Sequence, residues 1–360
     1  MNRLFNFSAG PAVLPEEVLA EASDNLLSLG DSGIGILEHS HRGDEFAAIL
    51  AEAQRLCREL ADLPEDIHVL FLQGGASLQF AMVPANLRAA GATADYLISG
   101  HWSQKALQTA ATTGLVHVAG SSPSDGSSQL PGPPACSRNP AYLHYTSNNT
   151  ILGTQFPEPP QRPVEVPLVC DASSDIFSRP LNLVTHDLVY AGAQKNLGPA
   201  GLTLVLVRES LLDRAPDTLP AIQQYLTHAR SGSLYHTPPV FSIYVTGLVL
   251  KWLQRRGGLE AIGRHNQEQA GRLYARLDQD SRFRGLADPM ARSLMNVTFT
   301  SGDSDSDQRF LATCRRAGLV GLAGHRSVGG LRASLYNALP DEAVDRLLEA
   351  IDDFETDSAE

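Results

Sequence analysis

The stretch "VYAGAQKNLGPAGLTLVLV", Val189 to Val207, holds a single charged residue, Lys195. Glycines and small residues crowd it, and an aliphatic run follows. A lysine just past a strand end, in weakly polar surroundings, loses its proton readily and becomes a nucleophile toward aldehydes. Asp171, 24 residues upstream, ends the apolar run "VPLVCD". A carboxylate placed there is partly buried and needs a cationic partner, or its pKa rises until it is neutral. A protonated pyridine nitrogen is one such partner. "FLQGGASLQF" sets Gly74, Gly75, Ala76 and Ser77 between a strand and a helix. The free N–H groups and dipole of a helix start favour a phosphate there. "SGHWSQK" puts Trp102 past another strand end, where an indole can stack on a flat ligand. Two basic pairs, His41-Arg42 and His325-Arg326, are joined by Arg332 on the following strand. Each arginine offers a planar fork to a carboxylate or phosphate. Singly, these residues also fit plain structural roles: a surface lysine, an N-cap or core ion-pair aspartate, a loop glycine pair, a core tryptophan, solvated arginines.

The elements that must position them follow from periodicity. Pro15, Glu16 and Glu17 open a helix with Val18, Ala22 and Leu26 at helical spacing. Phe46, Ile49, Leu50, Ala53, Leu56, Cys57 and Leu60 mark a second apolar stripe. Continuous apolar runs ("HVLFL", "DYLIS", "VPLVCD", "DLVYAGA", "GLTLVLV") then alternate with helical segments. That pattern implies an α/β fold with a mainly parallel sheet covered on both faces. The Ser/Gly/Pro-rich stretch Ala119 to Pro134 reads as an exposed loop, and "SGDSDSD" (Ser301 to Asp307) as a short acidic turn. Past Gly257-Gly258 the texture changes to a long Arg/Gln/Glu-rich helix near Leu259 to Gln279, then strand, helix, strand and a last helix from Pro340. The expected division is a large domain at 15–257 and a small α+β domain at 258–360, joined by the N-terminal segment 1–14.

Composition narrows the class. The chain has 360 residues, 43% hydrophobic and 19% charged, with a net charge of −12. An acidic chain is a poor partner for nucleic acid or an anionic membrane surface. No apolar run reaches the roughly 18–20 residues of a membrane span, and the opening "MNRLFNFSAGPAVLP" lacks a signal-peptide pattern. Cys57, Cys136, Cys170 and Cys314 are scattered without a C-x-x-C pair. The expectation is a cytoplasmic protein with free thiols and no metal site.

Seven segments in order, "FNFSAGPAVLP", "SHRGDEF", "GGASLQF", "DASSDIFSRP", "YAGAQKNLGPAG", "TPPVFSIY" and "GHRSVGGLRASLYN", together resemble the phosphoserine aminotransferases, which are fold-type I, class-V enzymes dependent on pyridoxal 5'-phosphate. The resemblance implies a seven-stranded-type sheet in the large domain and a smaller C-terminal α+β domain. It implies that Lys195 bonds the cofactor as a Schiff base and, once freed, moves the proton between the substrate Cα and the cofactor. Asp171 would keep the ring nitrogen protonated, so that the ring acts as an electron sink. Trp102 would stack on the ring, and Thr150 would make a polar contact to it. Ala76, Ser77 and Gln194 would hold the phosphate, with His236 and Thr237 reaching the cofactor of a partner subunit in a homodimer with shared active sites. Arg332 would grip the substrate α-carboxylate, and His41, Arg42, His325 and Arg326 the distal anion. The implied reaction converts 3-phosphohydroxypyruvate and glutamate reversibly to O-phosphoserine and 2-oxoglutarate in serine biosynthesis; the analogous phosphohydroxythreonine step of pyridoxine biosynthesis stays open.

Two positions depart from the pattern. His236 stands where many relatives have asparagine, making donation to a phosphate pH-dependent. Ser77 stands where one branch has arginine, removing a positive charge near the substrate anion. A desulfurase is disfavoured because neither Cys170, beside Asp171, nor Cys314, in a helical pattern, sits on a mobile loop. A small-substrate aminotransferase would have no use for two His-Arg pairs. A non-catalytic cofactor-binding sensor would need a DNA-binding module for which the chain has no length to spare.

Overall fold

The computed structural model describes residues 3–123, 128–180, 182–279 and 282–356. At its centre is a seven-stranded sheet: β1 (Ile67–Leu72), β2 (Thr93–Ile98), β3 (Val116–Ser121), β4 (Pro140–Thr146), β5 (Leu168–Asp171), β6 (Leu188–Gly192) and β7 (Thr203–Arg208). Their spatial order is β1-β7-β6-β5-β4-β2-β3. All pairs are parallel except those of β7, which runs antiparallel to both β1 and β6.

Both faces of the sheet's inner strands are buried, which is why those strands are mostly apolar rather than alternating, while the edge strand β3 has only Ala119 buried. One face, with Val69, Phe71, Leu143, Cys170, Val189, Leu204 and Leu206, packs under α1 (Asp44–Ala61) and the helix Val240–Arg255. In α1, Phe46, Leu50, Ala53, Leu56, Cys57 and Ala61 form the buried stripe. The other face, with Leu70, Leu72, Tyr96, Tyr142, Tyr190 and Val205, packs under α2 (Gly75–Leu87) and α3 (His101–Ala111). The two helices α2 and α3 start at the C-terminal ends of β1 and β2, so their N-termini and the end of β5 share one edge of the sheet.

A separate apolar cluster gathers Phe283, Val297, Phe299, Phe310, Leu331, Leu347 and Ile351 around an antiparallel three-stranded sheet (Arg284–Gly285, Asn296–Thr300, Leu331–Ser334). The N-terminal segment joins it: Phe5–Asn6 pairs in parallel with Leu319–Val320, and Phe7 lies in the cluster. The helix Gly258–Leu277 links the two cores, giving Leu259 and Ile262 to one and Ala270, Leu273 and Leu277 to the other.

Three local readings change. Leu26 is 39% exposed, because the first helix ends at Asp24. Of the Ser/Gly/Pro-rich stretch, Ala119 to Ser121 belong to β3, with Ala119 buried, and the Ser128 carbonyl accepts from Asp288 N (3.1 Å) in the C-terminal unit; residues 124–127 lie outside the described residues. The acidic turn after Ser301 is a helix start: Asp303 caps Ser304–Arg316 by accepting from the amides of Asp305 and Ser306.

Candidate active site

Lys195 leaves β6 through Ala193 and Gln194, in a turn closed by bonds from Leu197 N and Gly198 N to Ala193 O (3.1 and 2.9 Å). Its part-buried ammonium donates to Thr150 Oγ1 at 2.8 Å. Desolvation pulls its pKa from the ordinary 10.5 to about 8; Asp171 opposes that shift and Arg332 reinforces it. An appreciable neutral fraction is therefore present at neutral to mildly alkaline pH. The N-terminal segment closes over this lysine. Ala12 N donates to Gln194 O (2.9 Å), and a Cβ at Gly10 (φ +135°) would lie 3.3 Å from Lys195 Cγ.

Asp171 closes β5 and is buried. Its Oδ1 accepts from the Ser173 hydroxyl (2.6 Å) and the Ser173 amide (3.0 Å). The same hydroxyl accepts from Gly192 N (3.1 Å), which ties the carboxylate to β6. Among the described residues nothing hydrogen-bonds Oδ2. Burial raises the Asp171 pKa, although Ser173 and Lys195 pull it down. A fixed buried carboxylate with one oxygen free and a raised pKa is suited to a cationic N–H partner.

The turn from β1 to α2 uses Gly74 and Gly75 at φ +87° and +64°. A Cβ at Gly74 would meet the Leu78 side chain at 2.6 Å, so this tight entry needs glycine. It presents the first-turn amides of Ala76 and Ser77 at the shared sheet edge, where a helix start binds an anion. Gln194 folds back toward Gly192, its amide within 3.2 Å of where a Cβ would stand. Trp102 opens α3, part-buried, edge-on to His101 (5.2 Å between rings), with the Lys105 ammonium 5.8 Å from its ring.

Arg332 comes from the C-terminal sheet, opposite Thr298. Its Nη1 donates to Thr150 O at 3.1 Å, and its buried Nε has no partner among the described residues. Thr150 thus holds Lys195 by its hydroxyl and Arg332 by its carbonyl. His325 lies beyond, its ring 6.3 Å from that of His101 and its Nδ1 2.7 Å from the Ser327 hydroxyl. Burial and the charges of Arg332, His101 and Arg326 lower its pKa. Arg326 is exposed on the same turn.

Four further residues named from sequence lie on other segments. His41 and Arg42 sit on the turn before α1, where Arg42 N donates to Ser40 Oγ (3.2 Å). His236 lies beside His228 (6.0 Å), with its Nδ1 buried and unpartnered among the described residues, and Thr237 is exposed. No hydrogen bond or ring contact among the described residues links these four to Lys195, Asp171 or Arg332. The structure adds residues that the motifs did not single out: Gly10, Ser173, Asp175, His101 and Asn149, whose Nδ2 donates to Ser99 O (2.5 Å). Ser173 and Asp175 stand inside the quoted "DASSDIFSRP", within four positions of Asp171.

An Asp171 oxygen unbonded among the described residues, a lysine of lowered pKa, a glycine-lined helix start and an indole around one edge fit pyridoxal phosphate. Residues 4–347 match the family model for aminotransferase class-V. The chain is 47% identical to the phosphoserine aminotransferase of Nitrosomonas europaea over 100% of both chains. It is 46% identical to that of Geobacillus kaustophilus, over 98% of this chain and 99% of the relative. Among solved structures, phosphoserine aminotransferase from Bacillus circulans subsp. alkalophilus superposes with a TM-score of 0.97 at 45% identity, covering 99% of each chain. The pyridoxal-phosphate-bound enzyme from Trichomonas vaginalis superposes with 0.93 at 37% identity, covering 97% of this chain and 100% of that one. The chain therefore belongs to the class-V aminotransferases, and within them to the phosphoserine aminotransferase family of pyridoxal-phosphate-dependent transaminases.

Proposed function

We propose that this enzyme exchanges an amino group between O-phosphoserine and 2-oxoglutarate, forming 3-phosphohydroxypyruvate and glutamate, reversibly and in the service of serine synthesis. The observation that carries the reading is Thr150, which brings the Lys195 amine and the Arg332 fork together, with Arg332 Nε unpartnered among the described residues. A substrate carboxylate on Arg332 places its α-amino carbon near Lys195, and the His325-Arg326 turn offers a second anionic position beyond it. Phosphoserine and glutamate each present two anions, so one site serves both half-reactions.

Pyridoxal phosphate, when bound, supplies an electron-withdrawing ring that takes up the electrons of the substrate Cα–H bond. Asp171 Oδ2 would hold the proton at the ring nitrogen, with Ser173 keeping that carboxylate oriented. The first-turn amides of α2 and the Gln194 side chain would hold the phosphate, and Trp102 would cover the ring. The Lys195 amine, with its depressed pKa, would accept the proton lost from the substrate Cα and deliver it to the cofactor carbon on the far side of the transferred nitrogen.

His41, Arg42, His236 and Thr237 are read as contributions from a second copy to a shared site. The absence, among the described residues, of any bond or ring contact from them to Lys195, Asp171 or Arg332 supports this, as do exposed apolar residues shortly before His41 in the chain: Leu27 at 89%, Ile34 at 46% and Leu37 at 62%. The two apolar cores support a division into 15–257 and 258–360 with 1–14. A cytoplasmic location is part of the same reading: no helix among the described residues is long and apolar enough to cross a membrane, and all four cysteines are free.

Purified holoenzyme with glutamate and 3-phosphohydroxypyruvate should release 2-oxoglutarate. No turnover while the cofactor absorbance is intact refutes the proposal. The same preparation with the keto acid of phosphohydroxythreonine decides the pyridoxine step. Replacing Arg42 and Arg326 by Ala should weaken use of the phosphorylated substrate; unchanged rates would favour a small-substrate aminotransferase.

A further inference from the structure

Asp175 is a fully buried carboxylate that the chemistry above leaves unused. Four residues past Asp171, it accepts the Ser147 hydroxyl on Oδ1 and Gln155 Nε2 (3.0 Å) on Oδ2. Ser147 precedes the first strand of a hairpin, and Gln155 ends its second. Asn148–Asn149 pairs antiparallel with Thr154–Gln155, and the turn between them carries Thr150. Gln155 cannot turn away, because its Oε1 accepts from Leu294 N (2.9 Å). Burial raises the Asp175 pKa, while Arg179, Ser147 and Gln155 oppose that. Leaving a charge in so enclosed a place has a cost that neighbouring apolar packing would avoid.

We propose that Asp175 is a positioning residue for amino transfer: by gripping both ends of the hairpin it fixes Thr150, and through Thr150 it sets where Lys195 Nζ and the Arg332 guanidinium stand. Among the described residues Thr150 is the one that bonds both groups, so a loosened hairpin displaces the proton-carrying amine and the carboxylate-binding fork together. A misplacement of about 1 Å at reacting groups lowers turnover on the order of 100-fold.

Asp175→Asn separates grip from charge. Its amide can donate to Ser147 Oγ while its carbonyl accepts from Gln155, so both bonds survive with one reversed. Asp175→Ala loses both. In holoenzymes of matched cofactor content, Asp175→Ala should raise KM for O-phosphoserine and for glutamate and lower kcat, reducing kcat/KM by about 100-fold. Asp175→Asn should recover to within about threefold of the parent. A pH titration of the bound cofactor's visible absorbance provides a readout independent of substrate. Both variants lose the charge, but Asp175→Ala should shift the midpoint further, because Thr150 is also released. If the parent does not use phosphoserine, the substrate reading fails and this titration still decides the positioning role. Should Asp175→Ala not fold, Ser147→Ala removes one arm alone, and KM should rise severalfold with a displaced midpoint. The proposal is overturned if Asp175→Ala and Asp175→Asn match in kinetics and midpoint, if Asp175→Ala lowers only the Tm, or if Ser147→Ala, used in its place, changes neither quantity.

Discussion

Lys195 is held where its charge is unwelcome, and this can be measured as stability in the cofactor-free protein. Desolvation lowers its pKa from 10.5 to about 8. That difference is worth about 3 kcal/mol against the folded state whenever the lysine is protonated in both states. Lys195→Met keeps the length and much of the volume while removing the charge. It also strips the Thr150 hydroxyl of its 2.8 Å partner, a loss of about 1 kcal/mol. The variant should therefore be more stable than the parent at pH 7 by about 2 kcal/mol. Between pH 8 and 10.5 the unfolded chain binds a proton at this site that the folded chain does not. The parent's stability consequently rises with pH through that window. The penalty is fully present below pH 8, falls to roughly half by pH 9.5 and is gone above 10.5. Urea unfolding of both apo proteins at equal concentration, at pH 7 and 9.5, tests this. A Lys195→Met protein less stable than the parent at pH 7, or a gap that does not narrow at pH 9.5, refutes the argument that burial depresses this amine. The same variant should have no transaminase activity, so stability and function move in opposite directions at one residue.

Two further outcomes follow from hydrogen bonds at the site. Ser173→Ala removes the 2.6 Å bond to Asp171 Oδ1, so the Asp171 pKa should rise further. Cofactor affinity should weaken by about tenfold, read by equilibrium dialysis, and the loss should grow as pH falls because Asp171 is then more often neutral. Arg332→Lys keeps the charge but cannot bond Thr150 O and a carboxylate as a fork. KM for both amino donors should rise by about tenfold or more with a smaller change in kcat; an unchanged KM would remove Arg332 from the carboxylate site.

Much of the site was legible because its chemistry needs particular residue types at strand ends. Lys195, Asp171 and Gly74-Gly75 each follow an apolar run, and the sheet carries every such run to one edge. Asp175 and Ser173 were less legible although they lie in a quoted motif. A buried carboxylate gripping a hairpin and a serine tying two strands are indistinguishable, in one dimension, from caps and loop residues. Leu26 and the acidic stretch after Ser301 were misread for a related reason: helical spacing shows a face, but where a helix starts and ends depends on the caps and the packing around them.

The sequence by itself determined the α/β class, because strands buried on both faces must be apolar throughout and their helices must intervene. It also singled out the lysine, the aspartate and the glycine turn as candidates, because a nucleophile, a pyridinium partner and a phosphate cradle each demand a particular residue type. Only the tertiary structure decided that β7 runs antiparallel, that the N-terminal segment crosses to pair with Leu319–Val320, and that Thr150 joins Lys195 to Arg332. These depend on contacts between residues far apart in the chain, 182 positions for Thr150 and Arg332. Such pairings are chosen by which buried polar groups can all be satisfied at once, and local spacing carries no record of that choice.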